Sequence, residues 1–101
     1  MKDPPTCILY PDDFSSFGGI NAINSRGLKI PDDISIAGYD GIRIARHFEP
    51  QLTTIIQDTK RLGEEAALKL ISLIENPKST ITEQIVVTGE IFEGKSVAKL
   101  N

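Results

Sequence analysis

The stretch TCILYPDDFSSFGGINAINSRGLKIPDDISIAGYD, residues 6–40, decides the fold. It begins and ends with short apolar runs, residues 6–10 and 34–39, and such runs between turn-forming residues are typical of strands buried on both faces. Between them, helical spacing and a stop at Gly27 predict a helix over about residues 14–26. Its apolar positions are Phe17, Ile20 and Ile23. A strand, a helix and a strand in this order predict a βαβ unit with a right-handed crossover.

The rest of the chain continues the same pattern. Residues 52–56 predict a third strand, and a second helix is predicted from Asp58 or Thr59 to Asn76. The apolar stripe of this helix consists of Leu62, Ala66, Leu70, Ile71 and Ile74. Residues 81–92 predict one further strand or two, and the polar tail after them is expected to fray. The fold class is therefore α/β, with a mostly parallel sheet flanked by helices.

The composition excludes several classes of protein. The 101 residues predict a single domain, and eleven basic against fourteen acidic side chains give a formal net charge of −3 without a basic block. The chain alone is therefore not expected to bind nucleic acid. No apolar run approaches the roughly 20 residues of a membrane span, and the opening MKDPPTC lacks the apolar segment of a secretory signal. The single cysteine, Cys7, excludes an internal disulfide and is predicted to be a buried, inert thiol.

Polar side chains follow each of the three predicted strands. Asp12 and Asp13 follow the first, Asp40 follows the second, and Gln57 and Asp58 follow the third. Ligands of open parallel sheets bind outside the carboxyl ends of the strands, so these groups are expected to converge. Carboxylates and an amide without a fixed positive charge suit a neutral ligand rich in hydrogen-bond donors, such as a sugar, a polyol or the NH edge of a nucleobase.

Each of these residues also has a purely structural interpretation. Asp13 or Ser15 is in position to cap the first helix, and Asp58 is in position to cap the second. The aspartates that end strands are common turn residues, and the amide of Gln57 suits solvent equally well. The binding hypothesis therefore depends on all three strand ends being polar together.

The sequence contains no arrangement typical of catalysis. His47, the only histidine, lies beside Phe48 in a short helical turn and is expected to pack or to face a partner. There is no Gly-x-Ser-x-Gly elbow, no Gly-rich phosphate loop and no paired-histidine motif. An Mg²⁺ site of the receiver-domain type also needs a lysine at a late strand end, which the predicted strands lack. We predict a protein that is not an enzyme and that uses no cofactor and no metal.

Two blocks of sequence are more specific: PDDISIAGYD at residues 31–40 and LTTIIQD at residues 52–58. Together with Asp13 and the Gly63-x-x-Ala66 spacing, they resemble the LacI/GalR family of bacterial transcription regulators. The resemblance covers about residues 5–97. It implies a periplasmic-binding-protein-like core of two α/β subdomains, with an effector bound between them. The effector is usually a sugar and sometimes a purine, and it changes the affinity for operator DNA.

The resemblance also implies how the chain is organised and what it binds. It corresponds to the last third of such a protein, so operator DNA is contacted only through an N-terminal headpiece that this chain lacks. About residues 5–51 and 85–97 correspond to the C-terminal subdomain, and the helix at about 58–76 corresponds to the N-terminal one. Family members are cytoplasmic homodimers, and the dimer surface corresponds here to Phe17, His47 and Phe48.

The resemblance assigns ligand contacts to three of the polar residues that follow the predicted strands. Asp12, Asp40 and Gln57 fall at effector-contacting positions of the family. Gly41 departs from the pattern, because an acidic or amide residue often follows the binding aspartate. A second departure is Glu93-Gly-Lys-Ser96, where an Arg-containing segment is common. The alternative function is the C-terminal part of a periplasmic sugar-binding transport protein, which shares the fold; the LTTIIQD block favours the regulator.

Overall fold

The structure, a computed structural model, describes residues 3–100 and contains four strands, two α-helices and one 3₁₀ helix. In chain order these are β1 (Cys7–Leu9), α1 (Asp13–Ser25), β2 (Ser35–Ala37), the 3₁₀ helix (Arg43–His47), β3 (Thr54–Ile56), α2 (Thr59–Glu75) and β4 (Glu90–Phe92). The chain divides into two compact units. The first runs to Ile56 and resumes at Glu90, and the second is Gln57–Gly89. The predicted assignment of the 58–76 helix to another subdomain stays a prediction.

The strands of the first unit are mostly parallel, as the sequence predicts. β1 pairs with β2 in parallel, with Ile8 opposite Ile36. β2 continues toward β3 through a parallel bridge between Ala37 and Thr53, and Gly38 N donates to Thr53 O at 2.9 Å. β4 is antiparallel to β3. β1, β2 and β3 therefore run in the same direction, and their carboxyl ends lie at the same edge of the first unit. Asp12 and Asp40 follow two of these ends within the first unit, whereas Gln57 begins the second unit.

The core of the first unit combines the apolar face of α1 with the strands. Its buried members are Ile20, Ile23, Ile34, Ile36, Ala45 and Leu52, and Phe17 and Ile8 pack against them. The predicted helix face is thus confirmed, and Gly27 follows the helix with a φ of +74°. Six buried apolar side chains form a modest core for about a hundred residues, as expected at this chain length.

β1 is less buried than its apolar sequence predicts. Leu9 is 74% exposed and Cys7 is exposed, so the predictions of a strand buried on both faces and of a buried thiol are wrong. Successive side chains point to opposite faces of a strand, and only Ile8 faces the core. Within residues 3–100, β1 has β2 as its single strand neighbour, and nothing covers the face that carries Cys7 and Leu9.

The segment after β4 is bound into the sheet rather than frayed, contrary to prediction. The side chain of Ser96 is 1% exposed and lies between β2 and the residue before β3. Its hydroxyl accepts from Thr53 N at 2.8 Å and donates to Ile36 O, while Ile36 N donates to Ser96 O at 2.8 Å. The Ser96 hydroxyl therefore satisfies one backbone donor and one backbone acceptor where the two strands separate.

We expect Ser96→Ala to lower the free energy of unfolding by about 2–4 kcal/mol, because it leaves Thr53 N–H and Ile36 C=O buried without their partner. Denaturant unfolding of the chain measures this change. Ser25→Ala is the matched control, since its hydroxyl bonds Ala22 O at an exposed site, and it should cost no more than about 0.5 kcal/mol. Equal midpoints for the two variants would show that Ser96 has no such role.

In the second unit, α2 has the predicted bounds. Asp58 caps it by accepting from Arg61 N at 3.1 Å, and Asn76 follows its last turn. Glu65 and Lys69 are four residues apart in this helix, a spacing that favours a surface ion pair, but Lys69 pairs instead with Glu83 and donates to the carbonyl of Ile81. Of the predicted strand over 81–92, only β4 is regular. The helices within residues 3–100 are too short or too polar for one of them to cross a membrane.

Candidate functional site

The turn between β1 and α1 places two adjacent aspartates in opposite roles. Asp12 has an extended backbone, with φ of −155° and ψ of 166°, and its Oδ1 accepts from Ser15 N at 2.7 Å. Asp12 is therefore the N-cap of α1 and remains half-buried. The prediction that Asp13 or Ser15 caps the helix is wrong, because the helix begins one residue earlier. Asp13 is its first residue and is fully buried.

The carboxylate of Asp13 is satisfied by groups far away in sequence. Its Oδ2 accepts from Gly41 N and from Ile42 N, each at 2.9 Å, and its Oδ1 accepts from Thr54 Oγ1 at 2.7 Å. Its backbone N donates to Tyr39 O at 3.0 Å. Asp13 therefore joins the start of α1, the end of β2 and the start of β3 at a single buried point.

Asp40 lies at this junction with an unusual backbone conformation. Its φ is +119°, the single positive value among the non-glycine residues that the structure describes, and its N–H donates to Ile55 O at 3.0 Å. Side chains seldom adopt this region, and such residues persist where the surroundings hold them and cluster at ligand sites. The hydrogen bond from Asp13 N to Tyr39 O brings the turns of Asp12 and Asp40 together, as the strand-end argument predicts.

Gly41 is glycine for a physical reason. Its φ is +75°, and a Cβ there would stand 2.5 Å from the Cα of Ile56. A larger residue would strain the turn and strike β3. Glycine at position 41 is therefore required in this chain by a close backbone approach, and the N–H of Gly41 donates to Asp13 Oδ2.

An apolar pocket of about 310 Å³ lies at the same ends of β1 and β2. Its lining residues are Leu9, Tyr10, Pro11 and Tyr39. These residues immediately precede Asp12 and Asp40 in sequence, so polar acceptors and an apolar wall are neighbours there. Sequence reasoning missed this pocket. The available signal was that each of the two apolar runs ends in a tyrosine.

Gln57, the third predicted ligand residue, belongs to the second unit and is half-buried. Its carbonyl accepts from Thr59 N at 2.9 Å, which places it directly before α2. Its role in ligand binding stays a prediction. Within residues 3–100, no group of three or more His, Cys, Asp or Glu side chains is arranged to hold a metal ion.

The aromatic residues predicted for a dimer surface form a cluster. Phe17 of α1 stacks on Phe48 with ring centroids 4.2 Å apart and an angle of 11° between the planes. Phe14 meets Phe17 edge-on at 6.0 Å and is itself 68% exposed. His47 lies beside Phe48 in sequence and is exposed. The structure thus brings Phe17 and Phe48 together and leaves an apolar edge of this cluster in solvent.

Comparison with known proteins identifies the fold and the family. Residues 1–97 match the model of the periplasmic binding protein-like domain. The chain is 39% identical over 100 residues to the HTH-type transcriptional repressor PurR of Mannheimia succiniciproducens, covering 99% of this chain and 30% of that protein. The chain thus spans about a third of the length of such curated relatives.

Solved structures agree with this assignment. A LacI family transcriptional regulator from Enterococcus faecalis V583, solved with bound ribose, superposes with a TM-score of 0.90 at 34% identity, over 99% of this chain and 37% of that one. A LacI family regulator from Enterococcus faecium, also with bound ribose, superposes with a TM-score of 0.89 at 30% identity, over 99% and 37%. The chain therefore belongs to the periplasmic binding protein-like domain family, and it is similar to the corresponding part of LacI family transcription regulators.

Proposed function

We propose that this chain contributes to the effector site of a LacI-type transcription regulator, and that the effector is a neutral sugar. Asp12 and Asp40 accept hydrogen bonds from the sugar hydroxyls, and a ligand contact of Gln57 stays a prediction from the sequence. The observation that carries the proposal is the position of Asp40, held at positive φ at the end of β2 and joined to the Asp12 turn through Asp13.

The chemistry of the site supports a sugar over an anion. Carboxylates accept hydrogen bonds from hydroxyl donors and repel phosphates and carboxylates. The wall of Tyr10 and Tyr39 offers an apolar surface to the CH groups of a sugar ring. Two similar regulators, at 34% and 30% identity, were solved with bound ribose, which makes ribose the first ligand to test.

Calorimetric titration of the full-length protein with D-ribose, followed by other neutral pentoses and hexoses, tests the proposal. Saturable binding of one sugar per chain is the expected result. Binding that is confined to anionic ligands would contradict it, because the acceptor groups at the strand ends would then have no role.

The exposed aromatic cluster supports a homodimer formed through this unit. Phe17 and Phe48 present stacked rings next to Phe14, and an exposed apolar edge of this kind is stabilised when a second copy covers it. His47, which is exposed and precedes Phe48 in sequence, is assigned to the same contact in this proposal. In this proposal the cluster is the dimer contact, and the effector site lies at the strand ends of each protomer.

We expect the 101-residue chain by itself to bind no DNA. Its net charge is −3, and the operator contacts of the proposed regulator come from an N-terminal headpiece outside this chain. A gel shift with duplex DNA at about 150 mM salt checks this, since counterion release has by then weakened non-specific contacts. A retained shift would contradict the prediction.

The proposal places the protein in the cytoplasm, where DNA-binding regulators act, and assigns it no enzymatic activity and no cofactor. The alternative, a sugar-binding protein for transport, shares the fold. The relatives described above are repressors and regulators of transcription, which favours the regulator.

A further inference from the structure

The proposed effector contact, Asp40, depends on a residue that does not face the ligand. Asp40 is preceded by Tyr39, whose carbonyl accepts from Asp13 N, and followed by Gly41, whose N–H donates to Asp13 Oδ2. Asp13 therefore holds the backbone on both sides of Asp40. Ile42 N adds a second bond to the same oxygen.

The second oxygen of the Asp13 carboxylate, Oδ1, is also hydrogen-bonded and buried. Thr54 Oγ1 donates to its Oδ1 at 2.7 Å, and both side chains are buried, at 0% and 3% exposure. A Cβ on Gly38 would stand 2.3 Å from the same oxygen, so β2 approaches the carboxylate as closely as a glycine allows. The Asp13 carboxylate accepts three hydrogen bonds and is closely packed, so its position is fixed, and the Asp40 turn is held relative to it.

We propose that Asp13 is a positioning residue for effector binding, which holds Asp40 at positive φ so that its carboxylate is presented at the strand ends. This inference rests on the proposed function, since it acts through Asp40. A non-glycine residue at a φ of +119° is unfavourable by itself. Without Asp13, the turn is expected to relax and to move the carboxylate away from its ligand.

The test first compares effector affinity in three variants of the full-length protein, with D-ribose as the probe and folding checked by circular dichroism. Asp13→Ala should raise the dissociation constant about tenfold. Asp13→Asn should restore most of the affinity, because its Oδ1 still accepts from the two amides while its Nδ2 donates to the Thr54 hydroxyl. Ser96→Ala is the stability control, because it removes buried hydrogen bonds away from Asp40 and should leave the affinity within about twofold of wild type.

A double-mutant cycle separates positioning from general loss of structure. Asp40→Gly removes the carboxylate but tolerates the positive φ, so adding Asp13→Ala to it should weaken binding no further. If Asp13→Ala weakens binding equally with and without the Asp40 carboxylate, or if Ser96→Ala weakens binding as much, Asp13 is structural and the inference is overturned. If Asp13→Ala does not fold, Thr54→Val replaces it and should raise the dissociation constant about threefold.

A second measurement does not depend on the ligand. The crystal structure of Asp13→Ala, or of Thr54→Val in its place, should show Asp40 displaced from positive φ. The crystal structure of Ser96→Ala should show the Asp40 conformation unchanged. An unchanged Asp40 turn in the Asp13 and Thr54 variants would overturn the inference whatever the effector is. A wild-type dissociation constant for Asp40→Gly would instead rule out Asp40 as an effector contact in the proposed function, and the Asp40 conformation would still decide whether Asp13 holds the turn.

Discussion

Asp40→Ala is expected to raise the dissociation constant for the effector roughly ten- to hundred-fold. A hydrogen bond between a hydroxyl and a carboxylate contributes about 1.5–3 kcal/mol, and each 1.4 kcal/mol is a factor of ten in affinity. Calorimetric titration of the full-length protein with D-ribose measures the change. The effect should be carried by loss of the carboxylate, since the backbone N–H of Asp40 keeps its bond to Ile55 O.

Two further variants make this result specific. Alanine is less tolerant of a φ of +119° than glycine, so Asp40→Gly shows how much of the loss comes from the carboxylate and how much from a shifted turn. Asp32→Ala removes an exposed aspartate from the loop before β2, at the other end of that strand, and should leave binding unchanged. An affinity for Asp40→Gly equal to that of wild type would rule out Asp40 as an effector contact.

The isolated 101-residue chain is expected to be a dimer or larger in solution, with α2 at an interface. None of the residues of α2 is buried, and Leu70, Ile71 and Ile74 are 58%, 50% and 71% exposed. A contiguous apolar stripe of this kind exceeds what soluble monomers usually expose. A second copy of the chain is the occupant we expect, since two such stripes cover each other. Light scattering at micromolar concentration should therefore exclude a monomer of 11.1 kDa.

The double substitution Leu70→Lys and Ile74→Lys should shift the isolated chain to a smaller assembly, because charges on both stripes would be brought together and desolvated, while only the aromatic cluster of Phe17 and Phe48 remains as a contact. The double substitution Glu64→Gln and Glu75→Gln is the control. It changes the net charge by the same amount, leaves the stripe intact, and should not alter the association. An unchanged dimer of the lysine variant would locate the contact at the aromatic cluster of Phe17 and Phe48 instead.

Local patterns predicted most of the first unit because they report on local physics. The spacing of Phe17, Ile20 and Ile23 makes one helix face apolar whatever packs against it, so α1 and its core contacts follow directly. The cap at Asp58 likewise needs only the next three residues. The prediction that β1 is buried on both faces failed, because burial depends on what covers the second face of the strand. The sequence of β1, Cys7–Leu9, carries no information about that cover.

The candidate site shows the same division. Asp12 and Asp40 were predicted from the sequence because each follows a predicted strand. The structure brings their turns together through the hydrogen bond from Asp13 N to Tyr39 O. The Tyr10 and Tyr39 pocket was missed, because a tyrosine that ends a strand is as typical of a core as of a ligand wall. Lys69 pairs with Glu83, 14 residues away, rather than with the helical neighbour that its spacing suggests.

The sequence by itself determined the α/β class, the βαβ order, the approximate positions of the helices and the aspartates at the strand ends, because each follows from periodicity and turn chemistry within a few residues. Only the tertiary structure decided which of two adjacent aspartates is buried. Asp12 and Asp13 have the same chemistry, but the donors that hold Asp13 come from residues 28, 29 and 41 positions further along the chain. Ser96 is likewise buried by contacts 43 and 60 residues away. Such contacts exist only once the strands have paired, so no local pattern records them.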